Sequence, residues 1–247
     1  MNVQRLFIKP QAGMPVQAQQ ELVLTQGWGI QADASAQVGS PRQILIADRA
    51  TLKQFDLQPG DLRENILLDG RVAKWQSGQV LQVGQALIRL TFLCEPCAYL
   101  NTLQPGFAKH LKTQRGWLGM VVQSGAIAVG DRASLTSYQF PALPDDPRGR
   151  FYEFVARIPA GRVVSTKDVI LAIGATPSHY RVIPNFIQHA LIGLPVHRVV
   201  AIDGSLLLKH LPNQAQQLAD EGVNLHEGKV CAQAYLPREQ FHATELP

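Results

Sequence analysis

Three prolines fall within seven residues, at positions 141, 144 and 147, inside the segment Ser137-Tyr-Gln-Phe-Pro-Ala-Leu-Pro-Asp-Asp-Pro-Arg-Gly-Arg150. Prolines at that density favour extended, helix-free chain, because each fixes its own φ and biases the residue before it away from the helical region. No single helix or central strand can run through the segment, so it reads as a linker. A chain of 247 residues is also long enough for two domains. With 46% apolar and 17% charged residues, each half can bury a core.

The hydrophobic period differs on the two sides. Before the linker, apolar runs are short, often β-branched, and separated by Gly, Pro and Asp. They are Gln43–Asp48, Asn65–Asp69, Ala86–Leu93, Met120–Gln123 and Ala126–Val129. This spacing predicts an antiparallel barrel or sandwich with little helix. After the linker, Asp146-Pro147 can cap and open a helix that carries Phe151, Phe154, Val155 and Ile158 on one face. Ser165 or Thr166 can cap a second helix bearing Val169, Ala172 and Ile173, which Gly174 ends. Thr176-Pro177 opens a third, with Ile183, Ile187 and Leu191 along one stripe and Pro184 kinking its interior. Asp203-Gly204, set between Val199–Ile202 and Ser205–Leu208, is a two-residue hairpin signal and reads as a wing. The expected fold is α+β in two domains: an antiparallel β-barrel over 1–136, a linker over 137–147, a helical winged helix-turn-helix over 148–235, and a tail over 236–247.

Twenty-three basic against nineteen acidic residues give +4, split as 13 − 11 before residue 148 and 10 − 8 from there on. With neither half above +2 and no Lys/Arg run, charge permits nucleic-acid binding without arguing for it. Three cysteines are too few for a disulfide framework, no apolar run is long enough to cross a membrane, and the first residues lack a signal-peptide core. The expected location is cytoplasmic, with no membrane partner.

Cys94-Glu-Pro-Cys97 follows the strongest strand. Metal ligation, dithiol redox chemistry, a single functional thiolate and two small buried hydrophobes are all open readings. Zinc is not expected, because no other Cys and no His precedes His110 to complete four ligands. His110, His179, His189, His210, His226 and His242 show no ligand spacing with one another and stay unassigned.

Gly29-Ile-Gln-Ala-Asp33, Ser40-Pro-Arg-Gln-Ile-Leu-Ile46, Leu57-Gln-Pro-Gly-Asp-Leu-Arg-Glu-Asn-Ile66, Cys94-Glu-Pro-Cys97 and Gly116–Asp131 together resemble the successive motifs of MOSC domains. These are the β-barrel domains found at the C-terminus of molybdenum-cofactor sulfurases, a pyridoxal-phosphate-related family. The resemblance implies a pocket for the molybdenum cofactor or for a sulfur atom in transit. It makes Cys97 the catalytic thiol, metal ligand or persulfide carrier, and makes Arg42 and Asn65 cofactor-binding or pocket-shaping residues. A sulfur-donor or cofactor-delivery protein would be the partner. Ser35 stands where the family commonly has His.

Ile158-Pro-Ala-Gly-Arg-Val163, Pro177-Ser-His-Tyr-Arg181, Pro195-Val-His-Arg-Val199, Asp203-Gly204 and Glu221-Gly-Val223 resemble the DNA-binding domain of O6-alkylguanine DNA alkyltransferases. Val196 occupies the position of their nucleophilic Cys, so alkyl transfer has no chemical route there. That pattern is similar to alkyltransferase-like proteins, which bind alkylated guanine without reacting. The resemblance implies a DNA contact set of Thr166, Tyr180, Arg181, Val196, His197 and Arg198. Arg181 would fill the stack vacated by a flipped base, while Glu221 joins His197 and Arg198 in the pocket framework. The first functional expectation is a molybdenum-cofactor or sulfur-handling domain fused to a DNA-lesion reader, acting on modified purines. The other is a non-enzymatic damage sensor or adaptor whose barrel is a docking module.

Overall fold

The computed structural model describes residues 1–247. The chain divides into two units, Met1–Leu143 with Thr244–Pro247, and Pro144–Ala243.

The first unit contains eleven strands: β1 (Val3–Ile8), β2 (Gln17–Gln19), β3 (Glu21–Thr25), β4 (Gly29–Ile30), β5 (Ile44–Asp48), β6 (Ile66–Leu68), β7 (Gln79–Val83), β8 (Ala86–Leu93), β9 (Trp117–Gln123), β10 (Gly125–Ala128) and β11 (Ala133–Gln139). Eight of them form one sheet in the order β11-β7-β8-β9-β5-β6-β1-β2, and β10-β3-β4 form another. Pairing is antiparallel except between β5 and β6, which run parallel because a short helix, α1 (Arg49–Gln54), crosses between them. β8 is buried at every position except Leu93, which is why it reads as a continuous apolar run. Ile44, Ile46, Leu81, Ile88, Leu90 and Val121 anchor the core between the sheets.

The expected barrel is not closed. The outer edge of β1 is taken by β2 over Leu6–Ile8, so the 130–133 segment meets the chain only at Met1–Val3, through the Asn2–Arg132 bridge and bonds from the Val3 N–H to the Asp131 carbonyl (2.9 Å), the Gly130 N–H to the Val3 carbonyl (2.9 Å) and the Ala133 N–H to the Met1 carbonyl (2.8 Å). β11 therefore cannot zip along β1, and the sheet stays open.

The proline segment is not a free tether along its length. Ser137–Gln139 complete β11, Phe140 and Leu143 are buried, and Asp146 caps the next helix. That helix, α4 in chain order after α2 (Leu100–Leu103) and α3 (Phe107–Leu111), spans Pro147–Ala156. Its Phe151, Phe154 and Val155, with Ile158 just past its end, are buried in the second core. In α5 (Thr166–Ala172), the Ser165 hydroxyl accepts from the Asp168 N–H at 3.1 Å, and Val169, Ala172 and Ile173 join that core. The third helix is not continuous. Pro177–Arg181 form a 3₁₀ turn and α6 runs from Ile183 to Gln188, so Pro184 sits in a first turn, where the missing N–H costs no bond. Ile183 and Ile187 are buried but Leu191 lies beyond the helix and is exposed.

The expected wing also differs. A turn does form at Asp203-Gly204, with the Ala201 N–H bonded to the Ser205 carbonyl at 2.9 Å, but residues 206–208 form no strand. Val199–Val200 (β13) instead pair in parallel with Val164–Ser165 (β12). Ser205 bridges Lys229, and the Leu207 N–H is taken by the Gln214 side chain at 2.6 Å. These competing partners leave the second arm without a strand to pair. Gln214 opens α7 (Gln214–Asp220), and β14 (Leu225–His226) and β15 (Lys229–Val230) form a small hairpin after it. The segment expected as a tail packs, since Leu236, Phe241 and His242 are buried.

Candidate functional site

In the first unit, the Cys94–Cys97 motif leaves the end of β8, and the Cys94 N–H bonds the Gly116 carbonyl at 2.9 Å. Gly116 lies at φ +123°, where a Cβ would stand 2.2 Å from the Ile46 carbonyl oxygen. Only glycine fits there, and this fixes the path of its neighbour Arg115. The two thiols differ: Cys94 is buried and Cys97 is exposed. Burial pushes the Cys94 thiol up, against the pull of Arg115 and Arg42.

Arg115 is buried, and its Nη1 donates to Cys97 Sγ at 3.1 Å and to the Glu95 carbonyl at 3.4 Å. Its Nη2 donates to the Leu62 carbonyl at 3.2 Å, and its Nε is buried without a partner. Arg42 forms an ion pair with Glu95 at 2.6 Å, and its Nη2 stands 3.8 Å from Cys94 Sγ.

Asn65 is fully buried and its amide is saturated. Oδ1 accepts from Lys9 Nζ at 2.6 Å and from the Leu45 N–H at 3.0 Å, while Nδ2 donates to Asp33 at 2.7 Å and the Phe7 carbonyl at 3.2 Å. Asp33 also accepts from the backbone N–H groups of Lys9 and Ser35, both at 2.8 Å. Burial pulls the Lys9 ammonium down, opposed by Asp33. Burial also pushes the Glu64 carboxyl up, opposed by the Gly60 N–H bonded to it at 2.7 Å, and Glu64 Oε2 has no partner. The strand ends thus gather Lys9, Arg42 and Arg115 around two sulfurs. Lys9, Asp33, Glu64 and Arg115 were not singled out in the sequence. A Lys closing an apolar strand and an Arg before the Gly116 motif were the available signals.

In the second unit, Glu221 is the hub. Its carboxylate accepts from His197 Nε2 at 2.8 Å, from Arg198 Nη2 at 2.6 Å and Nε at 3.0 Å, and from the Gly161 N–H at 3.0 Å. Partial burial alone would raise this carboxyl, but the bonds from Arg198, His197 and Gly161 hold it at about 2. Gln214, fully buried and not anticipated, donates to the carbonyls of His197 at 2.8 Å and Val199 at 2.7 Å. His197, Arg198 and Glu221 are therefore brought together. Val196 and Tyr180 pack half-buried against the second core, and Thr166 is the first residue of α5. Arg181 is exposed and makes no hydrogen bond or ion pair through its side chain.

Residues 33–134 match the MOSC domain, and residues 146–223 match the 6-O-methylguanine DNA methyltransferase, DNA binding domain. Among solved structures, the YuaD protein from Bacillus subtilis is similar at 19% identity and a TM-score of 0.48, covering 56% of this chain and 96% of that one. YiiM from Escherichia coli is similar at 19% identity and a TM-score of 0.44, covering 73% and 90%. Atl1 from S. pombe, in complex with damaged DNA containing O6-carboxymethylguanine, is similar at 21% identity and a TM-score of 0.33, covering 37% and 94%. No curated protein matches the chain.

Proposed function

From a chain that joins a MOSC domain to a DNA-binding domain of the 6-O-methylguanine DNA methyltransferase type, we infer a protein that handles sulfur or a molybdenum cofactor at Cys97 and reads modified purines in DNA with its second unit. The observation that carries the first part is the exposed residue Cys97, whose sulfur is held 3.1 Å from the buried Arg115 guanidinium. A thiolate is a soft ligand for molybdenum and a nucleophile toward sulfur, and the guanidinium fixes where this sulfur stands.

The donor set fits an anionic cofactor. Arg115 Nε is a buried donor still without an acceptor, and Lys9 and Arg42 add positive charge beside the motif. Cys97 would be the protein ligand of a molybdenum cofactor, which supplies two-electron redox chemistry at its metal when bound. Arg42 shapes the site through its pair with Glu95, and Asn65 acts by holding Lys9 in place.

Protein purified from a molybdenum-replete host is expected to carry molybdenum or cyanide-labile sulfur, and Cys97→Ala to lose it by about tenfold or more. Equal content in the two proteins, or none in either, would remove Cys97 from this role and favour a binding module.

The second unit has no nucleophile at Val196, so its reading is recognition without alkyl transfer. The exposed, unpartnered Arg181 is free to enter a base stack, and the Glu221 hub holds the segment that carries Val196, His197 and Arg198. Binding of a duplex containing O6-alkylguanine is expected to fall with salt and to weaken about tenfold in Arg181→Ala. Binding that ignores the lesion and survives Arg181→Ala would refute the recognition role.

A further inference from the structure

The first unit carries a second concave feature that shares no residue with the Cys97 site. A cleft of about 790 Å³ opens beside β1, α1 and the loop at 56–59. That size lies within the roughly 300–1,000 Å³ range of small-molecule sites. Arg5 lies on β1 and Lys9 just past its end, four residues on and about 13 Å along extended chain, so the two features lie toward opposite ends of the strand.

The base of the cleft is apolar, formed by buried Leu52, Leu57 and Leu67, with half-buried Val129 at one side. Its rim is cationic, with Arg5, Arg49 and Lys53 all exposed. None of these three has a carboxylate partner. Arg5 donates only to the Gln4 carbonyl at 3.4 Å and Arg49 only to Gln4 Oε1 at 3.3 Å, while Lys53 Nζ makes no bond. Of the two carboxylates in the lining, Asp69 already accepts from the backbone and side-chain nitrogens of Asn2 at 2.7 and 3.3 Å. The Asp56 carboxylate remains open to a ligand.

Unpaired guanidinium and ammonium groups at the rim of an apolar floor suit a ligand with a phosphate at one end and a flat, weakly polar body at the other. We propose that this cleft binds a nucleoside monophosphate. The base lies over the leucine floor, Arg5, Arg49 and Lys53 take the phosphate, and Asp56 accepts a ribose hydroxyl. An inorganic phosphate uses only the rim, and an internal nucleotide of a strand offers a doubly esterified, singly charged phosphate in place of the monoester dianion.

Calorimetric titration of the full chain with GMP, AMP, inorganic phosphate and an unphosphorylated single-stranded oligonucleotide tests this. GMP or AMP is expected to bind saturably and more tightly than phosphate or the oligonucleotide. The double variant Arg49→Ala/Lys53→Ala should weaken that binding by about tenfold or more, and Arg5→Gln should weaken it less. Cys97→Ala should leave it unchanged, so loss of the sulfur or molybdenum reading would not touch this one. The exposed positions make unfolding of these variants a minor concern, and a melting transition unchanged from wild type verifies it. No saturable mononucleotide binding overturns the proposal. So does binding that survives the double variant, phosphate or the oligonucleotide binding as tightly as GMP and AMP, or dependence on Cys97.

Discussion

Replacing Glu221 by alanine is expected to destabilise the second unit by about 3 kcal/mol, roughly 12–24 °C in the midpoint of its unfolding transition. The carboxylate serves Arg198, His197 and the Gly161 N–H at once, and its side chain is 15% exposed. Deleting it leaves a guanidinium that is only 16% exposed without its counter-charge, and an N–H without its acceptor. Partial solvent access keeps the loss at the lower end of the range for buried pairs. Glu221→Gln should recover only part, because one amide oxygen replaces two anionic acceptors and the NH₂ faces two donors.

The same carboxylate sets an acid dependence. Its ordinary value is 4.5 and its folded value about 2, so folding is favoured by the charged form. The contribution is fully present above about pH 4.5 and is lost as pH falls toward 2. Denaturant titrations across that interval should show a shallower pH slope in Glu221→Gln than in wild type. A stability loss below about 1 kcal/mol in Glu221→Ala would show that the hub does not brace the unit.

The second large effect separates the two cysteines of the motif. Iodoacetamide at pH 8 is expected to modify Cys97 at least about a hundredfold faster than Cys94, because alkylation needs an accessible thiolate. Cys94 is 2% exposed and burial pushes its thiol up, whereas Cys97 is open to solvent. Half-buried Cys231 should react between them. Peptide mass spectrometry over a time course reads all three rates, and denatured protein should label all three alike. Comparable native rates for Cys94 and Cys97 would mean that the motif opens readily, and would undo the assignment of one working sulfur.

How much of this could be read from the sequence depended on how local the cause was. β5, β6, β8, the second half of β9 and β10 are visible because their apolar residues are contiguous, and α4 because Phe151, Phe154, Val155 and Ile158 repeat at helical spacing. β1, β3 and β7 interleave polar residues and did not stand out. The open sheet was not legible, since it depends on β2 reaching the edge of β1 before β11 does. The failed wing has the same origin: Asp203-Gly204 turns as its local chemistry dictates, but Gln214 and Lys229 claim the partners of the second arm. Cys97, Arg42, Asn65, His197 and Arg198 were named from motifs. Lys9 and Arg115 were not, because the former meets Asn65 across 56 residues and the latter meets Cys97 across 18.

An open sheet also has consequences for self-association. Two edges face outward, and an unpaired edge is a template on which another copy of the chain can add a strand. Here β2 is three residues of Gln-Ala-Gln, too short to hold a visiting strand. β11 loses register with β7 between Leu135 and Gln139, and its last three residues are exposed. Such a break bends the edge away from a flat partner. The short β2 and the bent β11 thus each leave their edge a poor template for strand addition.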